Sequence, residues 1–206
     1  MDYTLEEKYA RIREDALAAI GCDPVHIAHE IMRRDYINMH GPEHHFLDGA
    51  AFLAAYRNAG GEIDLDKALD ELAKRTVKMP GAMCGQWGVC GSAASVGAAL
   101  SVILALFCAV GFFAAVYVVN LPQSAAVDFF YRATFFSAVI AKRGEIGGAR
   151  CCKRNAYLSL SMGAAFVREK YSIPMETAPI ACDDSARNGQ CIGERCPFHP
   201  KGDLDI

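Results

Sequence analysis

A chain of 206 residues, 52% of them hydrophobic, is long enough to enclose one sizeable core and too apolar to stay disordered. Its 21 basic and 24 acidic residues leave a formal charge of −3, which removes the positive footprint that nucleic-acid binding needs, so no nucleic-acid partner is expected. The nine cysteines are an odd number, and no basic-then-apolar leader opens the sequence, so a reducing, cytoplasmic setting is expected, with metal or thiol chemistry in place of disulfides.

Thr4 and Glu7 carry the pattern of a capping box, and Leu5, Tyr9, Ile12, Ala16, Leu17 and Ile20 follow at helical spacing up to Gly21, which predicts a first helix. Asp23-Pro24 supplies an N-cap with Pro in the first turn, and the apolar pattern predicts a second helix that runs to the Gly41-Pro42 break. Asp48 reads as the cap of a third helix ending at Asn58, before Gly60-Gly61. Asp64 opens a fourth, with Leu65, Ala68, Leu69, Leu72 and Ala73 on one face.

Charge then vanishes: residues 79–127 contain no Asp, Glu, Lys, Arg or His. Residues 92–120 are long enough to cross a bilayer, for which about 20 apolar residues suffice. Against that, Ala93, Gly97, Ser101, Ala105 and Ala109 recur every four residues, a stripe that lets another backbone approach closely. A single crossing would also separate Cys84 and Cys90 from the later cysteines. The reading is therefore a buried central helix, with association with the cytoplasmic membrane as the alternative. Helical spacing returns over 128–143 and 153–170, no stretch alternates as a strand would, and the tail from Ile180 has little periodicity. The expected fold is all-α. One domain over 1–206 forms a helical bundle around a buried apolar central helix, with amphipathic helices in 1–78, apolar core helices in 79–170 and an irregular cysteine-rich tail in 171–206.

Seven cysteines fall into three groups: Cys84 and Cys90 in a Gly-rich turn, the adjacent pair Cys151 and Cys152, and Cys182, Cys191 and Cys196 in the tail. Cys22, at a helix junction, and Cys108, a small hydrophobe inside the apolar run, stand apart and read as structural. Three thiols within a tail of low periodicity suggest a segment ordered by a ligand or a docking surface. Cys84, Cys90 and the 151–152 pair sit where helices are predicted to start, and a helix N-terminus favours thiolate. Seven thiols exceed the four ligands of a structural zinc, so an iron–sulfur cluster is the expected cofactor and zinc the alternative. His40, His44 and His45 gather beside Gly41-Pro42, where neutral imidazoles could complete a metal site; His44 and His45 are taken as ligands. Arg150, Lys153 and Arg154 could hold a small anionic substrate or balance a negative cluster. The competing functional readings are a thiol-based redox or sulfur-transfer enzyme using Cys151 or Cys152 as nucleophile, and a membrane-associated protein with structural zinc.

The segments HHFLDGAAFLAAYRN, PGAMCGQWGVCGSAASVGAALSVI, GEIGGARCCKRNAYLSL and CDDSARNGQCIGERCPF resemble the DUF5714 family, a prokaryotic family of unknown function sometimes attached to methyltransferase-like proteins. Together they cover most of the chain beyond residue 40. The resemblance implies the His44 and His45 pair and the seven grouped cysteines as family features, and a methyltransferase-type protein as a partner in methyl-transfer, metal or sulfur metabolism. Residues 104–136 depart from the family pattern, being less polar than it implies. No Gly-rich nucleotide loop follows a strand, so the chain itself is not expected to bind S-adenosylmethionine in a Rossmann fold.

Overall fold

The computed structural model describes residues 3–86, 90–116, 142, 145–146 and 151–202, and for 104–116 the backbone alone. Among these residues the regular secondary structure is all helical, without strands. The helices are α1 (Leu5–Ala18), α2 (Pro24–Met32), α3 (His44–Asn58), α4 (Leu65–Thr76), the single turn α5 (Met83–Gln86), α6 (Gly91–Val116) and α7 (Cys152–Tyr171); a 3-10 turn spans Gly193–Arg195 in the tail. Arg150 and nearly all of the helix predicted over 128–143 lie outside the described residues.

The starts follow the predicted chemistry. Thr4 and Glu7 close a reciprocal capping box on α1, Asp23 accepts from the Val25 and His26 amides at the head of α2, and Asp64 accepts from Lys67 at the head of α4. Two boundaries differ from expectation. α2 stops at Met32 because the Arg34 guanidinium and the Tyr36 hydroxyl both turn back to the Asp15 carboxylate of α1, which draws the chain off the helical path. α3 begins at His44, since the carbonyls of Gly41, Pro42 and Glu43 take its first amides. Gly41-Pro42 thus opens a helix where the sequence suggested the close of one, and Asp48, expected as a cap, stands inside α3 with no exposure. At the other end, Gly60 at φ +91 and the bonds Gly61 N–H to Tyr56 C=O and Gly60 N–H to Arg57 C=O form a Schellman stop.

α3 is the helix at the centre. Every residue from His44 to Tyr56 is buried, and α1, α2, α4, α6 and α7 all pack against it. A helix apolar on all sides belongs inside. Gly49, Ala50, Ala51, Ala54 and Ala55 keep its girth small while Phe46, Leu47, Phe52, Leu53 and Tyr56 fill the spaces between neighbours. α6, expected at the centre, instead lies along α3 through Ala93, Val96, Ala99, Leu100 and Ile103. Among the described residues no helix is long and apolar enough to cross a membrane. The most apolar part of the span weighed over 92–120 falls outside the described side chains.

The tail is ordered by docking. Glu176 N–H bonds to Cys22 C=O, Ala178 N–H to Asp23 Oδ2, and Cys182 N–H to Phe198 C=O. Met175 and Phe198 are buried, the latter edge-on to Tyr157 of α7 with ring centroids 5.2 Å apart.

Gly163 of α7 leaves no room for a methyl group: a Cβ there would lie 2.8 Å from Phe52 Cε2 and 2.9 Å from Val96 Cγ1. Gly163→Ala is therefore expected to overpack the α3, α6 and α7 junction and cost about 1–3 kcal/mol. A urea titration checks this as a lower midpoint with an unchanged slope.

Candidate functional site

Three helices begin at one place. The first turns of α3, α6 and α7, with α5, enclose a cavity of about 440 Å³. Each brings chemistry with it: His44 and His45 open α3, Cys90 immediately precedes α6, and Cys151 caps α7 with Cys152 as its first residue. Cys84 on α5 and His40 from the preceding loop complete this part of the lining, and Asn155 adds a polar group one turn into α7. Three helices thus present the positive ends of their dipoles to the cavity, an arrangement that favours thiolates and anionic groups.

A second, much narrower pocket lies on the other side of Cys151. Cys151, Cys182, Cys191 and Cys196 line it, with Arg154 and His199. The Cys151 sulfur accepts from Arg154 N–H at 3.5 Å and from Asn188 Nδ2 at 3.3 Å. Asn188 is itself held by His40, whose Nε2–H reaches its Oδ1 at 3.3 Å, and by the Gln190 amide. The Cys191 sulfur accepts from Gly193 N–H at 3.4 Å, a bond that the positive φ of Gly193 helps to form. The expected ligands therefore fall into two adjoining groups with Cys151 in both. Cys84, Cys90, Cys152, His44 and His45 face the cavity, and the three tail cysteines face the narrow pocket. Among the described residues, no three His, Cys, Asp or Glu side chains are grouped as they would be around one metal ion.

Burial controls the electrostatics. It pushes the Cys152 thiol up to about 12, helped by the neighbouring Asp48 carboxylate, and raises Cys182 to about 11. It lowers His44 to about 4, so this ring is neutral, and lowers His45 as well. Asp48 is raised to about 7 by the same cause, against the pull of the Ser92 hydroxyl and the Lys153 ammonium. Those two groups are near enough to favour its charge without satisfying it, for neither Asp48 oxygen has a hydrogen-bond partner among the described residues.

Of the cations expected to hold an anion, Lys153 is committed elsewhere: its ammonium pairs with Asp184 at 3.2 Å and donates to Met32 C=O, clasping the tail to α2 and α7. Arg154 lies on the wall of the narrow pocket, where burial raises the Cys196 thiol and the guanidinium charge offsets part of that rise.

A model of a family of unknown function, DUF5714, matches residues 12–199. The chain belongs to the DUF5714 family. No curated protein and no solved structure matches it. The DUF5714 match takes in both pockets with every residue named on their walls.

Reasoning from sequence passed over Asp48, Asn155 and Asn188 as site residues. Asp48 carried a usable signal, since a lone carboxylate four residues after His44 shares its helix face within an otherwise apolar run. Asn188 carried none, because its place beside Cys151 depends on how the tail docks.

The loop before α3 is fixed by Glu43. Its carboxylate, 1% exposed, receives the Lys8 ammonium at 3.1 Å and the Asn38 amide at 2.9 Å, and these bonds outweigh burial to hold it below the usual Glu range. Glu43→Gln leaves the buried Lys8 charge unpaired and is expected to cost about 3–5 kcal/mol. Adding Lys8→Met to that variant should return part of the loss, read from denaturation midpoints of the two single variants and the double.

Proposed function

We propose that this DUF5714 chain is an iron–sulfur protein whose cluster is held by Cys151, Cys182, Cys191 and Cys196. The observation that carries the reading is that four cysteines from two distant segments line one narrow pocket at a helix N-terminus, with N–H groups already aimed at two of the sulfurs. Hydrogen bonds to ligand sulfurs, together with burial and net charge, are the protein's means of setting a cluster's potential. Four thiolates bring negative charge, which the first turn of the twenty-residue helix α7 and the Arg154 guanidinium offset. Cys151 also borders the 440 Å³ cavity, so a cluster bound here has a chamber of small-molecule size beside it. The helix dipoles presented to it suit an anionic substrate. Cluster assembly also calls for a reducing compartment, in keeping with the number of thiols.

Protein purified without oxygen should contain iron and acid-labile sulfide in comparable amounts and absorb in the visible range. Cys182→Ser, Cys191→Ser and Cys196→Ser should each lose most of both, while Cys22→Ser, away from either pocket, keeps them. Zinc as the sole metal, or no metal at all, overturns the cluster.

A further inference from the structure

Beneath the cavity lies a set of buried acceptors with nothing to accept from. His44 donates its Nε2–H to the Asn38 carbonyl at 3.0 Å, which leaves the lone pair of the neutral ring on Nδ1, and that atom has no partner among the described residues. Asp48 follows at i+4 on the same face of α3 with both carboxyl oxygens unpartnered, and Asn155 of α7 brings an unpartnered Oδ1. The three side chains are 1%, 0% and 5% exposed. His44 and Asn155 line the cavity, and Asp48 interacts with Ser92 and Cys152 on its wall.

Buried polar atoms are ordinarily paired, and an unpaired group asks for a water, an ion or a role. An imidazole nitrogen, a carboxylate and an amide oxygen share one need, a positive centre. A His whose other ring N–H is tied to a backbone carbonyl is also oriented as metal-ligating histidines are. Imidazole suits zinc, iron and nickel, whereas carboxylate and amide oxygens suit harder ions, so the mixed set selects a borderline divalent ion.

We propose that the floor of the cavity is a second metal site, separate from the tail cysteines, where a divalent transition-metal ion such as zinc or iron(II) is ligated by His44 Nδ1, the Asp48 carboxylate and Asn155 Oδ1. The remaining cavity gives a bound ion open positions for a ligand. The site stands whether or not the tail pocket holds a cluster.

The test uses the full chain purified without oxygen, with zinc alone as the probe, and reads both zinc retained after desalting and the shift in Tm on adding zinc. The wild type should retain one equivalent more than Asp48→Asn, and this equivalent should raise the Tm of the wild type only. Asn155→Asp, which adds a charged oxygen to the set, should release its zinc to a chelator more slowly than the wild type. Cys191→Ser should keep this equivalent even if iron and sulfide are gone, which separates the two sites. Equal zinc uptake by the wild type and Asp48→Asn overturns the proposal, as does a higher Tm for Asp48→Asn with no zinc response in either protein, for then a proton or water satisfies the acceptors. Should Asp48→Asn fail to fold, zinc release from Asn155→Asp no slower than from the wild type overturns it equally.

Discussion

The enclosure of α3 is the constraint on which the rest of the structure depends. A helix buried on every side has no solvent-facing flank on which to place polar groups, so any polar residue in it must find a partner within the protein or at a cavity. Its small residues let five helices approach, and that closeness brings the first turns of α6 and α7 level with its own. The cavity thus follows from packing: three helices aligned by their starts leave a space that none of their side chains fills. His45 shows how tight the fit is around that space. Its ring lies where a Cβ on Gly91 would come within 2.2 Å of Nε2, so α6 can start beside α3 only with glycine at that position.

Bringing three N-termini together concentrates like partial charges, an arrangement that is unfavourable until something negative or electron-rich answers it. The molecule answers with thiols, imidazole nitrogens and one carboxylate. The same placement makes those groups harder to charge, because burial opposes their ionised forms. Dipoles and desolvation therefore pull in opposite directions at one site. Burial favours the protonated forms of Cys152 and Cys182 and shifts Asp48 toward its own, so a cation bound beside them would displace protons.

Much of the fold was legible because it rests on local chemistry. Thr4 with Glu7, Asp23 with Pro24, Asp64 and Gly60-Gly61 are stop and start signals whose effect depends on residues within one turn, and each acts as the sequence suggests. Where a distant residue competes, the local signal misleads. The pattern through Ile37 is helical until Asp15 captures Arg34 and Tyr36, and Asp48 has the look of a cap until Gly41-Pro42 starts the helix earlier. The candidate site was legible as an inventory of cysteines and histidines. Its division around Cys151 was not, because which sulfur faces which pocket is decided by the docking of Asn188, Asp184 and Phe198, and those contacts join residues far apart in the chain. The choice of α3 over α6 as the central helix likewise turns on girth, and small residues interleaved with large ones express it less plainly than a long apolar run does.

Asp23 holds two elements with one side chain: Oδ1 caps the first amides of α2, and Oδ2 receives the amide of Ala178 where the tail begins its path across the bundle. Peeling the tail away therefore removes one of the carboxylate's three bonds, and fraying the head of α2 removes the other two. Asp23 thus joins the Glu176–Cys22 bond and the Lys153 clasp in holding the tail to α2, so exposure of the narrow pocket is tied to the integrity of the N-terminal helices. A cofactor bound there would be gated by the chain's first forty residues as much as by the cysteines that touch it.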